Sequence, residues 1–417
     1  MDISRRTFNL GLAAAAAGSA LPGIACAQGA PIKIGFSIAL SGPLAGGGAT
    51  GLIGAQIWAD EINAAGGLLG RPVELVFYDD QSSGAQAPGI YAKLIDVDRV
   101  DLLLSPYGTN ISAPIMPLMK QRSRLVLGML GTGLNTSIQH DRFFSMAPWG
   151  PDPELQYRGF LDLGNDKGFK KIAIVAVDGE AQQTAAAGAR RVAQEYGMEL
   201  VLDLKIPPNT NDLSGAFNQI KGVNPEMIFF STYPNESVAA VRAIGEVGVP
   251  DSVQMLGGGM VGLQYAALLK SLGSKVNGIV NLHTYSVEDT FATDVSRAFQ
   301  ENYYTRAMAQ NADPLGHLTA PFWYAAGQVI KASAEGVGSV DEGKMADWLR
   351  SNTIDTIVGP ITFGANGEWA ENRVLMVQYQ GVVDNDLEQF RKPGRVVIVH
   401  PANYASGELR VPFSAAR

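Results

Sequence analysis

The chain has 417 residues, a formal net charge of −8 at pH 7 and one cysteine, Cys26. The length exceeds what one hydrophobic core usually serves, so two folded units are expected. An acidic chain without a basic run is a poor candidate for binding nucleic acid or anionic membranes, and one cysteine excludes a disulfide framework.

The N-terminus has the pattern of an export signal. Ser4–Leu10 reads SRRTFNL, an apolar stretch follows, and Ala25-Cys26-Ala27 is a small-x-small cleavage site. We therefore predict a twin-arginine signal peptide over residues 1–27 and a periplasmic product. The apolar run is too short for a stable membrane span. Removal of the signal would leave no cysteine, which excludes thiolate metal sites and cysteine nucleophiles.

The next stretch predicts a β-α-β unit. Two apolar runs predict strands at Ile32–Leu40 and Val73–Tyr78, and the small residues of Ser41–Gly48 predict a loop. A helix is expected between the loop and the second strand, because Leu52, Ala55, Ala59 and Ile62 have helical spacing, and Gly66-Gly67 ends it. Such a unit crosses over right-handed, and its first loop lies where open α/β sheets bind ligands.

Three stretches resemble one known family. They read LSGPLAGGG, GAQIWADEINAAGGLLGRPVELVFYDDQS and KLIDVDRVDLLLSP, and they are similar to the periplasmic solute-binding proteins of ABC importers, in the leucine/isoleucine/valine class. The resemblance implies a type I periplasmic binding fold, in which two Rossmann-like α/β lobes are joined by a multi-strand hinge.

The remaining segments repeat one α/β architecture twice. Trp149–Asp152 breaks the first series, and His283–Tyr285 marks a predicted return crossing. We predict one lobe from residues 28–148 plus 283–365 and a second from 149–282 plus 366–417. Strands are expected at Lys171–Val177 and at Val253–Leu256, the latter followed by a Gly257-Gly258-Gly259 loop. Arg373–Gln380 is expected to be the last strand, and the tail from Asp384 has no predicted place.

Two loops of the first lobe carry hydroxyl and glycine residues after predicted strands. Exposed N–H groups at helix starts favour anions there, although ordinary capping by Thr109 and Thr132 is the alternative. The resemblance implies that the first lobe binds a ligand carboxylate through Tyr107, Gly108, Thr109, Gly131 and Thr132. It implies that the second lobe closes over the ligand with Asp178, Gly179, Ala181, Tyr233 and Gly259.

Gly259 departs from the family pattern. A glutamate usually stands there and pairs with the ammonium of the ligand. A buried ammonium without a carboxylate is costly, so either Asp178, Asp152 or Glu180 takes this role, or the ligand lacks an α-ammonium. Aromatic acids, keto acids, amides and small ureas are then candidate ligands alongside amino acids.

An exported NAD(P)-dependent oxidoreductase is a competing interpretation. Gly46-x-Gly48-x-x-Gly51 fits the dinucleotide fingerprint, and Asp79-Asp80 ends the next strand. Five residues separate the fingerprint from its strand, however, whereas its first glycine should follow the strand directly. The acidic pair also lies further along the chain than the fingerprint requires.

Hydrolase and zinc chemistry have less support. No G-x-S-x-G motif is present, and the histidines lack the spacing of zinc ligands. His140 and His400 are expected at the surface. His283 and His317 lie near a proposed crossing or cleft, where core or capping roles are expected and lining of the pocket is the alternative.

The sequence thus predicts an extracytoplasmic solute receptor rather than an enzyme, without a cofactor or metal. Its expected partners are a small solute and the permease and ATPase subunits of an importer, and it is expected to be a monomer or weak dimer. A ligand sensor of the same fold, docking onto a signalling protein, is the second alternative.

Overall fold

Two mainly parallel β-sheets with flanking helices make up the computed structural model, which describes residues 29–417. The predicted signal peptide, residues 1–27, lies outside the described residues. The strands are β1 Ile32–Ile38, β2 Val73–Asp79, β3 Leu102–Leu104, β4 Val126–Gly128, β5 Phe143–Ser145, β6 Lys171–Val177, β7 Glu199–Ile206, β8 Met227–Thr232, β9 Met255–Met260, β10 Val280–His283, β11 Thr353–Ile354, β12 Ile361–Thr362, β13 Leu375–Tyr379 and β14 Val396–His400.

The α-helices occupy most of the chain between these strands. They are α1 Ala45–Ala64, α2 Ala87–Asp96, α3 Thr109–Ser112, α4 Met116–Gln121, α5 Arg158–Asp166, α6 Glu180–Glu195, α7 Ser214–Val223, α8 Pro234–Glu246, α9 Ala266–Leu272, α10 Asp294–Ala309, α11 Ala320–Val337, α12 Glu342–Ser351 and α13 Phe413–Ala416. Short 3₁₀ segments include Pro153–Tyr157 and Leu387–Arg391.

The first lobe is built on a five-stranded parallel sheet in the order β2-β1-β3-β4-β5. Strands β3, β4 and β5 are entirely buried, as expected for parallel strands covered on both faces. The strand order reverses direction between β1 and β3. The loops that follow these two strands therefore diverge and leave a crevice at their carboxyl ends.

The second lobe is built on a seven-stranded sheet in the order β14-β13-β10-β9-β8-β6-β7. Strands β6 to β10 are parallel, whereas β13 and β14 pair antiparallel at the other edge. The order reverses between β6 and β8, so this lobe has a crevice of its own. Arg373–Gln380 was expected to be the last strand, but β14 follows it and fixes the tail to this lobe.

The chain crosses between the lobes three times. It leaves the first sheet after β5, returns after β10, and crosses again before β13. On its return it forms α10, α11 and α12, and α10 and α11 pack on α1 of the first lobe. An ion pair between Arg124 and Glu342, at 2.9 Å, attaches α12 to the same lobe.

Glycines allow α1 and α11 to approach closely. A Cβ on Gly51 would lie 2.5 Å from the indole nitrogen of Trp323, and one on Gly54 would lie 2.2 Å from the carbonyl oxygen of Ala320. On the opposing helix, a Cβ on Gly327 would lie 2.0 Å from the Trp58 ring. The small residues of this stretch therefore serve helix packing, because any side chain would push the two helices apart.

Three predictions about local structure were wrong. The loop expected over Ser41–Gly48 ends earlier, because α1 already begins at Ala45. The strand expected to stop at Leu256 continues as β9 through the three glycines to Met260. His140 is not at the surface: it is 3 % exposed, with its Nε2 atom 2.7 Å from the carbonyl oxygen of Arg124.

Among residues 29–417, no helix combines the length and the apolar character that a membrane crossing requires.

Candidate functional site

The loops after β3 and β4 of the first lobe lie side by side, because these strands are parallel neighbours. The backbone N–H of Thr132 donates to the Thr109 hydroxyl at 3.0 Å, and the N–H of Gly108 donates to the carbonyl of Met129 at 3.3 Å. Gly108 has φ +91°, a conformation that favours glycine. The five residues predicted in this lobe are thus brought together on one edge.

The helix after β3 is short. Helix α3 spans only Thr109–Ser112 before a 3₁₀ turn and α4 follow. A helix of this length has little macrodipole. The anion-binding capacity of this edge therefore lies in individual hydroxyl and N–H donors, of which the Thr132 N–H is already bonded to Thr109.

The crevice of the second lobe brings together Gly179 and Tyr233. Gly179 follows β6 and Tyr233 follows β8, on the two sides of the strand-order reversal. A Cβ on Gly179 would lie 2.7 Å from the Tyr233 hydroxyl, so the ring packs directly over the glycine. Ala181 is in the first turn of α6, half-buried and close in sequence to this contact.

Asp178 and Gly259 are placed differently from the other predicted residues. The Asp178 carboxylate is exposed and pairs with the Lys205 ammonium at 2.8 Å, so it faces the outer strand β7. Gly259 is a buried residue of β9 rather than of a loop. A Cβ there would lie 2.7 Å from the ring of Tyr157, and the aromatic ring therefore occupies the space that a side chain would need.

Two tyrosine contacts join the lobes in front of these crevices. The hydroxyl of Tyr107, after β3, lies beside that of Tyr265, after β9. Tyr233 reaches the side chain of Asn110 in the first lobe. Burial raises the pKa of all three tyrosines, so each hydroxyl is protonated at neutral pH and can donate a hydrogen bond. The two lobes are thus closed against each other.

A further contact between the lobes involves Asp313, in the loop between α10 and α11. Its carboxylate accepts from the N–H of Ala266, the first residue of α9, at 2.7 Å. It also accepts from the N–H groups of Leu315 and Gly316 at 2.9 and 3.3 Å. An acidic side chain from the first lobe therefore caps a helix of the second.

Sequence reasoning missed three residues at this interface, Asn110, Tyr265 and Asp313, and also Tyr157, which packs against Gly259. Three of them lie within a few residues of a strand end or a lobe crossing, which is the signal that could have found them. Asp313 left no such signal, because its partner is 47 residues away in the chain.

The dinucleotide fingerprint does not have the required geometry. All three of its glycines lie inside α1 rather than in a loop before a helix. A Cβ on Gly48 would lie 1.8 Å from the carbonyl oxygen of Ala39 and one on Gly51 would meet Trp323, so both serve packing. Asp80, expected near a ribose, instead accepts from the Ser37 hydroxyl at 2.8 Å and is fully buried.

A separate hollow of about 420 Å³ lies at the opposite edge of the second sheet. It is lined by β14 and the C-terminal segment, including Arg395, Glu408 and Arg410. None of the predicted site residues borders it. Among residues 29–417, no group of three or more His, Cys, Asp or Glu side chains is arranged to hold a metal ion.

Comparison with known proteins gives one consistent result. The family described as "Periplasmic binding protein" matches residues 31–385. Leu/Ile/Val-binding protein homolog 3 of Brucella melitensis is 25 % identical over 368 residues, which cover 87 % of this chain and 95 % of that protein.

Solved structures of similar fold cover nearly the whole chain. The branched-chain amino acid transporter substrate-binding protein LivJ from Streptococcus pneumoniae, in complex with isoleucine, has a TM-score of 0.70 at 21 % identity, covering 92 % of this chain and all of that one. An ABC transporter solute-binding protein from R. palustris, in complex with benzoate, has a TM-score of 0.69 at 18 % identity, covering 85 % and 94 %.

Proposed function

The chain belongs to the periplasmic binding protein family, and on that premise we propose that it is the solute receptor of an ABC importer. This is a family of binding proteins rather than of enzymes, in agreement with the function predicted from the sequence. The proposed solute is a small carboxylate or amide, such as a branched-chain or related amino acid, held between the two lobes.

One observation carries this proposal: residues on loops that follow the strands of the two lobes meet at the junction between the lobes. Tyr107 meets Tyr265, and Asn110 meets Tyr233, across the junction. Two lobes linked by three crossings can open and close about those crossings, which is how such receptors trap a ligand. Relatives that are named Leu/Ile/Val-binding proteins support the same role.

We propose that the two lobes bind different parts of the ligand. Tyr107, Gly108, Thr109, Gly131 and Thr132 would bind the carboxylate through hydroxyl and N–H donors. Gly179, Ala181, Tyr233 and Gly259 would close over the rest of the ligand. Asp178 would lie at the rim, because its carboxylate already pairs with Lys205. The importer's permease and ATPase are the proposed partners of a monomeric or weakly dimeric receptor, exported to the periplasm by the twin-arginine pathway.

A ligand screen by thermal shift tests the proposal. Purified protein is heated with amino acids, aromatic and keto acids, amides and, as a negative set, nicotinamide dinucleotides. We expect a rise in melting temperature for at least one small acid or amide and none for the dinucleotides, because a ligand that binds only the folded state stabilises it. A chain that responds to none of the small solutes would contradict the proposed solute class.

Thr132→Ala then tests the carboxylate site by titration calorimetry with the ligand found. Loss of a hydrogen bond to a charged group should weaken binding by at least about 1 kcal/mol. Thr305→Ala is a matched control, because Thr305 lies on the outer face of α10 and bonds only within its helix. Equal affinity of both variants would remove Thr132 from the site.

A further inference from the structure

The loops that meet at the junction of the lobes are rich in aromatic side chains. Tyr107 and Tyr265 approach from opposite lobes, and Tyr233 packs over Gly179. Tyr157 lies against Gly259 and is 7 % exposed. Aromatic rings favour flat, apolar ligands and orient them by stacked or edge-to-face contacts.

Acidic side chains at the same edges already have partners. Asp178 pairs with Lys205, and Asp152 pairs with Arg191. Two of the three carboxylates considered as replacements for the glutamate absent at Gly259 are therefore already paired with basic side chains of the protein. The third, Glu180, is exposed at the start of α6, where water solvates it.

The other acidic groups near the junction also lie close to polar groups of the protein. Asp313 accepts three backbone N–H groups, and Asp79 accepts from the N–H and hydroxyl of Ser41. Glu368 lies in the last crossing, is 2 % exposed and approaches the hydroxyl of Ser145, but its Oε2 atom has no hydrogen-bond partner in the described part of the chain. Burial raises the pKa of this carboxyl to about 7, so a proton can neutralise it in place of a ligand cation. Asp313 and Asp79 need no ligand cation, because backbone N–H groups already bond to them.

Glu236 is the strongest competitor for a ligand ammonium. It is 1 % exposed, one of its oxygens accepts from the Thr210 N–H at 3.1 Å, and the other has no partner in the described part of the chain. It is also the third residue of the 13-residue helix α8, whose N-terminal N–H groups and dipole stabilise a carboxylate at this position. The helix N-terminus therefore offsets part of its charge without a ligand.

From this distribution we propose that the solute is an aromatic carboxylate without an amino group. This rests on the proposed function and narrows its solute class. A carboxylate can be bound by neutral donors. The loops around Thr109 and Thr132 supply the hydroxyls of both residues, whereas the Thr132 N–H is already bonded to Thr109. An ammonium would be removed from water without a carboxylate to receive it, which is strongly unfavourable.

Five probes test the effects of the amino group and of the aromatic ring separately. L-phenylalanine and 3-phenylpropanoate differ only by the ammonium, as do L-leucine and 4-methylpentanoate, and benzoate is added as a shorter aromatic acid. By titration calorimetry, 3-phenylpropanoate or benzoate should bind at least about 100-fold more tightly than L-phenylalanine, which corresponds to about 2.7 kcal/mol. The aliphatic acid should bind more weakly than the better aromatic acid.

The outcomes distinguish this inference from the proposed function. Tighter binding of either amino acid than of its deaminated counterpart would overturn the inference while leaving a solute receptor intact. Tighter binding of 4-methylpentanoate than of both aromatic acids would overturn the aromatic part. If no probe and no other small acid or amide bound, the proposed function itself would fail.

Amino-acid substitutions test which side chains recognise the solute. Tyr265→Ala should weaken binding of the aromatic acid at least about 10-fold, whereas Tyr265→Phe, which keeps the ring, should recover most of it. Tyr196→Ala is a matched control at the end of α6, remote from the junction, and should change the affinity less than 2-fold. Glu236→Gln should leave the ranking of the five probes unchanged. Selective loss of amino acid binding in that variant would instead assign the ammonium to Glu236 and contradict the inference.

Discussion

Gly259 is required at its position because the Tyr157 ring fills the space beside it. A Cβ would lie 2.7 Å from that ring, closer than real Cβ contacts come, and the ring is itself buried. A position that differs from the family's usual glutamate therefore has a physical explanation within this chain: an aromatic side chain has taken the volume. Packing around a single residue thus determines which chemical groups can face the solute.

Gly259→Ala should consequently lower the free energy of unfolding by about 1–3 kcal/mol, because the ring or the strand must move. Gly245→Ala is the matched control: a Cβ there would meet nothing within 4 Å in helix α8. Alanine is a better helix former, so the control should gain about 0.5–1 kcal/mol. Urea denaturation measures both changes, and a stability loss of the same size in the two variants would argue against the contact with Tyr157.

At the scale of elements, the site is made by strand ends rather than by any one motif. The order of the first sheet reverses between β1 and β3, and that of the second between β6 and β8. Loops from these points carry Tyr107 and Tyr233, which meet residues of the opposite lobe. Tyr265 lies directly before helix α9, whose start is held by Asp313 from the first lobe.

Asp313→Ala should free the start of α9. Three backbone N–H groups lose their acceptor, and because Asp313 is half-buried we expect a loss of about 2 kcal/mol in the free energy of unfolding. Hydrogen exchange over residues 266–272 should become faster relative to α8. Asp313→Asn keeps an acceptor oxygen and should recover most of the protection. Unchanged exchange in the alanine variant would show that α9 is held by other contacts.

At the scale of the whole molecule, burial of histidines ties stability to pH. His283, at the end of β10, and His317, before α11, belong to different lobes and lie near each other at the crossing between them. Burial lowers the pKa of His283 to about 3 and that of His317 to about 4. Burial also lowers the pKa of His140 and of His400. The folded chain therefore keeps these rings neutral where the unfolded chain would protonate them.

Stability should fall as the pH drops below about 6.5, because the unfolded state then binds more protons than the folded state. Each such histidine contributes about 1.4 kcal/mol per pH unit. Glu368 opposes them between pH 7 and 4.5, since burial raises its pKa to about 7 and the folded state binds that proton. The net loss expected between pH 6.5 and 5 is about 2 kcal/mol.

Denaturation midpoints at pH 7, 6 and 5 measure this dependence. His317→Gln should flatten it, because one depressed pKa is removed, and Glu368→Gln should steepen it by removing the opposing proton. An identical slope in the protein with and without His317 would contradict the assignment of the effect to this ring.

The sequence by itself determined the local elements and the two-lobed class. Apolar runs of strand length and a helix face such as that of α1 are written in neighbouring residues, and the strand Lys171–Val177 was predicted with its observed bounds. The family resemblance likewise rests on short contiguous stretches such as DEINAAGG. Backbone propensity and side-chain periodicity act over a few residues, which is why they can be read without a structure.

Only the tertiary structure decided what those elements present to a solute. In the structure, strand β9 continues through three glycines, and the fingerprint glycines lie in helix α1, where they serve packing. Asp178 pairs with Lys205, and Asp152 pairs with Arg191. The tertiary structure also brought Tyr107 to Tyr265, 158 positions further along the chain. Such pairings depend on strand order and on packing between distant segments, and no local periodicity records which segments will meet.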